Sequence, residues 1–312
     1  MKILLASDGS ESARAAVDCL LRFPFPPDSQ VKVLTVIDRE LFKGEDASEL
    51  NDEQQHALQE TEKVVQEAAQ ELLAREAARL RNAGWPASSK LRIGHPAEEI
   101  VRVAEQLDSD CVIVGSHGMS GIKRFLLGSV SDHVLRYAPC SVLIVKNPAV
   151  SSYESGNAPT SPAFGEHAQP LRMLLAYDNS VPARKAVEFC ASLPLDEQAE
   201  VTALTILPLV TLYRQDIRQR LSWLWLEKKK QALAALEGVT KEIGRATPHV
   251  EGRLREAPDV SDEILHAAAE YRSDLIVLGH KGKGAIRNFL LGSVTTRIAH
   301  HASCSVLAVR NS

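Results

Sequence analysis

The two halves of this 312-residue chain repeat one another, and that constrains its fold more than anything else in the sequence. Residues 115–129 read GSHGMSGIKRFLLGS, a G-x2-G-x9-G-S pattern at Gly115, Gly118, Gly128 and Ser129. The pattern recurs at Gly279, Gly282, Gly292 and Ser293. Phe125–Val130 is identical to Phe289–Val294, and Cys140–Leu143 to Cys304–Leu307. Ala13, Arg14, Ala16 and Val17 return as Ala183, Arg184, Ala186 and Val187. Asp274 answers Asp110, and Pro258 with Glu263–Ile264 answers Pro96 with Glu99–Ile100. Self-similarity on this scale is the signature of a duplicated unit.

Within each half, strand and helix patterns alternate. The apolar runs 2–7, 31–37, 88–93, 111–115 and 141–146 read as strands. Between them lie helical patterns, among them a long charged one over 53–83 that stops near Gly84 and Pro86. Asp8, Ser10 and Glu11 offer a cap for the first helix, with Asp8 and Glu11 spaced as in a capping box. The second half predicts strands over 173–177, 201–207 and 250–255, and a long helix over 217–244. The alternation predicts an α/β fold: in each half a five-stranded parallel sheet with right-handed crossovers and helices on both faces. Residues 147–170 are rich in Pro, Ser, Gly and Ala and lack periodicity, as a linker does. The expected division is a first domain over 1–147, a linker over 148–170 and a second domain over 171–312.

The repeated loop has the physics of an anion site. Glycine lets backbone approach a ligand closely. Turn N–H groups form a concavity for anions, and the N-terminus of the following helix adds free N–H groups and a positive dipole end. Ser129 and Ser293 stand where an N-cap hydroxyl reaches a phosphate. The bland alternative is that the glycines merely permit a tight strand-to-helix turn. In open α/β sheets ligands bind at the carboxyl ends of the strands, where Asp8, Val36 and Gly115 all fall.

The pattern resembles that of the universal stress proteins of the UspA type, in the tandem form with two domains in one chain, and the resemblance covers both halves. It implies two Rossmann-like, adenine-nucleotide-hydrolase-like open domains. In the nucleotide-binding branch of that family, G-x2-G-x9-G-[ST] holds the phosphates and ribose of ATP. By resemblance, Asp8 and Asp178 match an aspartate that lies near adenine and ribose, though a helix cap is the plainer role. Val36 and Ile206 match the position whose backbone meets adenine. Val130 and Ser131, with Val294 and Thr295, continue the helix start. The implied ligand is ATP or a related adenine nucleotide, with Mg2+ as an accompanying ion. The resemblance further implies that the last strands of the two halves pair as an internal pseudo-dimer, with a homodimer of chains as a further option.

Composition narrows the alternatives. With 45% hydrophobic and 24% charged residues the chain has a globular profile. A net charge of −4 gives no global attraction to nucleic acid or to an acidic membrane surface, and no apolar run has the length of a bilayer span. The expected partners are therefore an adenine nucleotide and a protein, with neither nucleic acid nor membrane. The start, MKILLAS, reads as a strand and not as a signal peptide. Five scattered cysteines without a C-x2-C pair predict buried thiols in a reducing compartment, hence a cytosolic protein.

No catalytic or metal residues are assigned. His117 lacks a partner in sequence and its counterpart is Lys281, so a solvent-facing loop histidine is expected. His300–His301 lack metal-ligand spacing. The Walker A lysine and serine, the G-x-S-x-G elbow and GxGxxG are all missing. Lys123, Arg124, Lys281, Lys283 and Arg287 are candidates for balancing phosphate charge. The leading reading is a stress-response regulator that senses nucleotide and acts through protein partners. A slow ATP hydrolase and a nucleotide-free interaction module are the rivals. Leu221, Trp223, Leu224, Trp225 and Leu226 make an unusually apolar helix start, expected to pack against the other domain, with an exposed partner or membrane patch as the sharper reading.

Overall fold

The computed structural model describes residues 1–42, 51–118, 127–146, 169–209, 215–281 and 291–310, with backbone alone at 215–222. Nearly all of the expected linker lies outside these residues, as do Gly282, Lys123, Arg124, Lys283 and Arg287. The chain divides into two compact units, which meet in sequence at Val145 and Lys146.

In the first unit the strands are β1 (Lys2–Ala6), β2 (Gln30–Asp38), β3 (Ala87–Gly94), β4 (Cys111–Gly115) and β5 (Ser141–Val145). They alternate with helices α1 (Glu11–Arg22), α2 (Asp52–Asn82), α3 (Pro96–Gln106) and α4 (Ser129–Tyr137). β1 pairs with β2 and β4, β2 with β3, and β4 with β5, all in parallel. The order is therefore 3-2-1-4-5. Right-handed crossovers place α1 and α2 on one face and α3 and α4 on the other. Because both faces are covered, the central strands are apolar along their whole length. Leu4, Leu5, Val112, Ile113, Leu143 and Ile144 are wholly buried, each burial contributing roughly 2 kcal/mol. Strand order reverses beside β1, so the switch-point crevice opens where β1 and β4 end.

The second unit repeats the plan. Its strands are β6 (Leu171–Ala176), β7 (Ala199–Pro208), β8 (Val250–Ala257), β9 (Leu275–Gly279) and β10 (Ser305–Val309). Its helices are α5 (Val181–Ser192), α6 (Gln215–Ile243), α7 (Val260–Glu270) and α8 (Ser293–His301). β6 pairs with β7 and β9, β7 with β8, and β9 with β10, again all parallel.

The helix caps differ from the sequence expectation. Ser10, not Asp8, is the N-cap of α1, and its hydroxyl accepts from the Ala13 N–H at 3.1 Å. Gly9 sits between them at φ 78°, a left-handed turn that sets Asp8 two residues before the cap, so the Asp8–Glu11 box does not form. Asp8 instead accepts from the Ser10 N–H at 3.0 Å. Gly128 and Gly292 cap α4 and α8, which makes Ser129 and Ser293 the first helical residues. Pro258 is not the counterpart of Pro96. α7 is capped by Asp259 and opens on Val260, which stands where Pro96 opens α3.

All five cysteines are buried and unpaired. Burial pushes the thiols of Cys190 and Cys304 up to about 12, so they remain protonated, inert members of the core.

Candidate functional site

The crevice at the end of β1 and β4 is a cavity of about 540 Å³. Asp8, Val36, Gly115, Gly118, Gly128, Ser129, Val130 and Ser131 all line it. Lys123 and Arg124 lie outside the described residues, while these eight first-half candidates share one cleft. Each reaches it for a local reason. Asp8 follows β1, and Val36 lies near the end of β2. Gly115 ends β4, and its bare Cα is needed: a Cβ there would lie 2.7 Å from the Ser12 carbonyl carbon in α1. Among the described residues Gly118 is open except toward Asp8, whose Oδ2 would be 2.9 Å from an added Cβ.

The loop between β4 and α4 is pinned at both ends. The Ser116 N–H donates to the Val145 carbonyl at 2.9 Å, and the Gly128 N–H donates to the Ser116 carbonyl at 2.9 Å. The first bond of α4 runs from Asp132 N–H to Gly128 C=O at 2.9 Å. The N–H groups of Ser129, Val130 and Ser131 precede it and, among the described residues, are the free donors of a helix start, with the positive dipole end behind them. The Ser131 hydroxyl donates to the Gly115 carbonyl at 2.7 Å, locking helix to strand. Its role is therefore structural on the donor side, which sequence alone did not reveal.

His117 lines the cavity, half-buried, with Nδ1 3.1 Å from Ser116 Oγ. Its place on the cleft wall leaves it partly exposed to solvent. The rest of the wall was not legible as site residues. α2 contributes Val65, Ala68, Ala69 and Leu72, and Leu41 and Pro96 complete an apolar side. This apolar wall and the polar helix start opposite it make an amphipathic cleft, the combination that suits a planar base joined to an anionic group.

Behind the cleft, Ser7 joins β1 to α2. Its hydroxyl donates to Glu76 Oε1 at 2.9 Å, and its carbonyl accepts from Thr35 Oγ1 at 2.9 Å. Glu76 is 5% exposed, and its Oε2 has no hydrogen-bond partner among the described residues. Burial raises its pKa from the ordinary 4.5, and Asp8 adds to the rise, against the lowering by the Ser7 hydrogen bond and by Arg75 and Arg79. A raised folded-state pKa gives a contribution to stability that is full below the unfolded value and lost as pH rises through the folded one. Glu76→Gln, which keeps the acceptor for Ser7, is expected to raise the melting temperature at pH 7, with the gap closing toward pH 4.5. Thermal scans of both proteins across this range check it. A variant that melts below the parent at pH 7 would show that the carboxylate is stabilised there instead.

The second unit builds the same frame around much less space. Thr205 Oγ1 donates to the Tyr177 carbonyl at 2.8 Å, as Thr35 does to Ser7, so Tyr177 occupies the place of Ser7. The Gly292 N–H donates to the His280 carbonyl, and Thr295 Oγ1 to the Gly279 carbonyl at 2.9 Å. Gly279 meets α5 so closely that an added Cβ would lie 2.4 Å from the Pro182 carbonyl carbon. The cavity here is about 80 Å³. Asp178, Ile206, Gly279, Val294 and Thr295 line it, with Lys281, while Gly292 and Ser293 do not. Tyr177 is 6% exposed and lines it too, its hydroxyl 2.9 Å from Asn179 Oδ1. Among the described residues no α6 side chain forms a wall, in contrast to the four from α2 in the first unit. Ligand cavities run from roughly 300 to 1,000 Å³, and a water takes about 30 Å³, so the first cleft fits a nucleotide and the second holds a few waters.

The duplicated doubly wound sheets, each with a glycine loop running toward a helix at the switch point, define a tandem α/β protein with a switch-point cleft. The sequence model of the Universal stress protein family matches residues 1–146 and 171–310. The chain belongs to that family, in its tandem form. Two universal stress proteins of Methanocaldococcus jannaschii are similar to it. One is 33% identical over 159 residues, 47% of this chain and 82% of its own. The other is 32% identical over 152 residues, 46% of this chain and 94% of its own. Among solved structures, a universal stress protein from Archaeoglobus fulgidus matches with a TM-score of 0.58 at 20% identity, covering 99% of this chain and 96% of that one. That likeness establishes the shared fold. No helix among the described residues is long and apolar enough to cross a membrane.

Proposed function

We propose that the first unit binds one adenine nucleotide, ATP or a close relative, and that the chain acts as a nucleotide-dependent regulator through a protein partner. One observation carries the reading: the 540 Å³ cleft gathers all eight first-half candidates around the free N–H groups of α4. In this reading Ser129, Val130 and Ser131 hold phosphate with their N–H groups. Gly115 and Gly118 let the backbone come close, and Asp8 accepts from ribose or base. The apolar wall from α2 takes the adenine. A magnesium ion would accompany the phosphates, and Asp8 and Asp38 are the carboxylates that line the cleft among the described residues. The second unit, with about 80 Å³ and Tyr177 in the place of Ser7, is read as a partner domain without a nucleotide.

The test is calorimetric titration of ATP into the full chain, after nucleotides released by heat denaturation have been identified by mass spectrometry. One ATP per chain is expected. Asp8→Ala should weaken it about tenfold, the loss of one charge-assisted hydrogen bond, and Asp178→Ala should leave it unchanged. Two equivalent sites per chain, or equal losses in the two variants, would overturn the one-site reading. No heat and no released nucleotide would overturn nucleotide binding itself.

A further inference from the structure

The end of the second strand differs between the two units in a residue that carries chemistry. β2 closes on Asp38, whose register partner in β3 is Gly94, and β7 closes on Pro208, whose partner in β8 is Ala257. Asp38 lines the first cleft and is half-buried. The Glu40 N–H donates to its Oδ1 at 3.0 Å, at the start of the short helical turn Arg39–Phe42. Its Oδ2 has no hydrogen-bond partner among the described residues. Pro208 does not line the second cavity, and its side chain offers no acceptor.

The order of the strands fixes where along the cleft this carboxylate stands. β1 lies between β4 and β2, and neighbouring strands are about 4.8 Å apart, so the end of β2 is roughly 10 Å from the end of β4. The N–H groups that start α4 come after β4, and Asp8 follows β1. Asp8 also stands beside Gly118, on the loop side of the cleft. Asp38 is therefore at the far end from the anion-holding N–H groups, with Asp8 between. α2 packs on β2 and β3, so the apolar side chains that it gives to the cleft stand on the Asp38 side. A carboxylate repels phosphate and a helix start attracts it. The two ends together orient a nucleotide with its phosphates at α4 and its base at Asp38.

We propose that Asp38 selects the base, its free carboxylate oxygen accepting from the exocyclic amino group of adenine. This rests on the nucleotide reading above and adds to it the side chain that recognises the base. A carboxylate only accepts hydrogen bonds. A base that presents an N–H donor gains a charge-assisted bond, whereas one that presents a bare edge leaves the carboxylate covered and without a partner. Pro208 gives the second unit no such group, in keeping with its small cavity.

The experiment is calorimetric titration of the full chain with ATP and with purine riboside triphosphate, which carries hydrogen in place of the amino group. The parent is expected to bind ATP at least about tenfold more tightly. Asp38→Ala should bring ATP down to the affinity of the analogue and leave the analogue unchanged, so the gap closes. Asp38→Asn, which keeps an acceptor for the Glu40 N–H, should narrow the gap at an unchanged melting temperature. A side chain that only caps the turn would weaken both ligands equally and preserve the gap. That result, or equal affinities in the parent, would overturn the proposal. So would a parent that prefers GTP, whose paired N–H donors also suit a carboxylate. An Asp38→Ala protein that loses affinity for ATP but not for 2′-deoxy-ATP would overturn it too, by assigning the carboxylate to the ribose. Binding of neither ATP nor the analogue would overturn the nucleotide reading and this one with it, whereas every other outcome leaves nucleotide binding standing and judges Asp38 alone.

Discussion

Gly115→Val is expected to destabilise the first unit by about 3 kcal/mol, and Gly279→Val to do the same to the second. The cause is backbone, not side chain. A Cβ at Gly115 would lie 2.7 Å from both the carbonyl carbon and the Cβ of Ser12, and 2.8 Å from its carbonyl oxygen. At Gly279 it would lie 2.4 Å from the Pro182 carbonyl carbon and 2.7 Å from the Ala183 nitrogen. Neither helix can retreat cheaply. α1 packs on β4 with Ala13, Ala16 and Val17 fully or nearly fully buried, so moving its first turn opens the core. A loss of this size lowers the melting temperature of a unit this large by roughly 6–12 °C, read by calorimetry as one transition shifted while the other stays. Val at both positions with unshifted transitions would show that the helices are loosely held. This clash also explains why glycine ends both strands, independently of any ligand: the helix N-terminus must approach the strand end to close the switch-point cleft.

The sheets, their order of elements and the first cleft were legible because they depend on period and repetition. Apolar runs without alternation require strands covered on both faces, and the second half confirms each assignment of the first. Legibility failed where a single tertiary neighbour decides the outcome. Asp8 and Ser10 are equally good caps in sequence, and the left-handed Gly9 between them selects Ser10. Pro258 was paired with Pro96 by residue type, while the cap at Asp259 fixes the true register. The glycine pattern reads the same in both halves, yet the space it encloses differs from about 540 to about 80 Å³. That difference lies in neighbours the motif does not contain: Tyr177 for Ser7 behind the loop, and four α2 side chains that line the first cavity with no α6 counterpart among the residues described in the second. A motif records what a backbone must do, and cavity volume is set by whatever packs around it.

Gly118→Ala is expected to lower adenine-nucleotide affinity about tenfold while leaving the melting temperature of the protein without ligand unchanged, the reverse of the Gly115 result. Gly118 has no left-handed φ, so alanine fits its backbone. Among the described residues an added Cβ meets no backbone atom and one side-chain atom, Asp8 Oδ2, at 2.9 Å. Asp8 can yield by rotating, at the loss of its bond to the Ser10 N–H, but it then leaves the position from which it faces the cleft. The methyl group also stands where the loop backbone must come close to an anion, a distance that glycine alone permits. Affinity and stability therefore separate at two glycines of one motif, three residues apart. Calorimetric titration and a thermal scan of the same preparation test this together. Unchanged affinity in Gly118→Ala would reduce this glycine to a turn residue and leave ligand binding to the helix N-terminus alone. A fall in melting temperature matching that of Gly115→Val would place Gly118 in the packing of α1 as well.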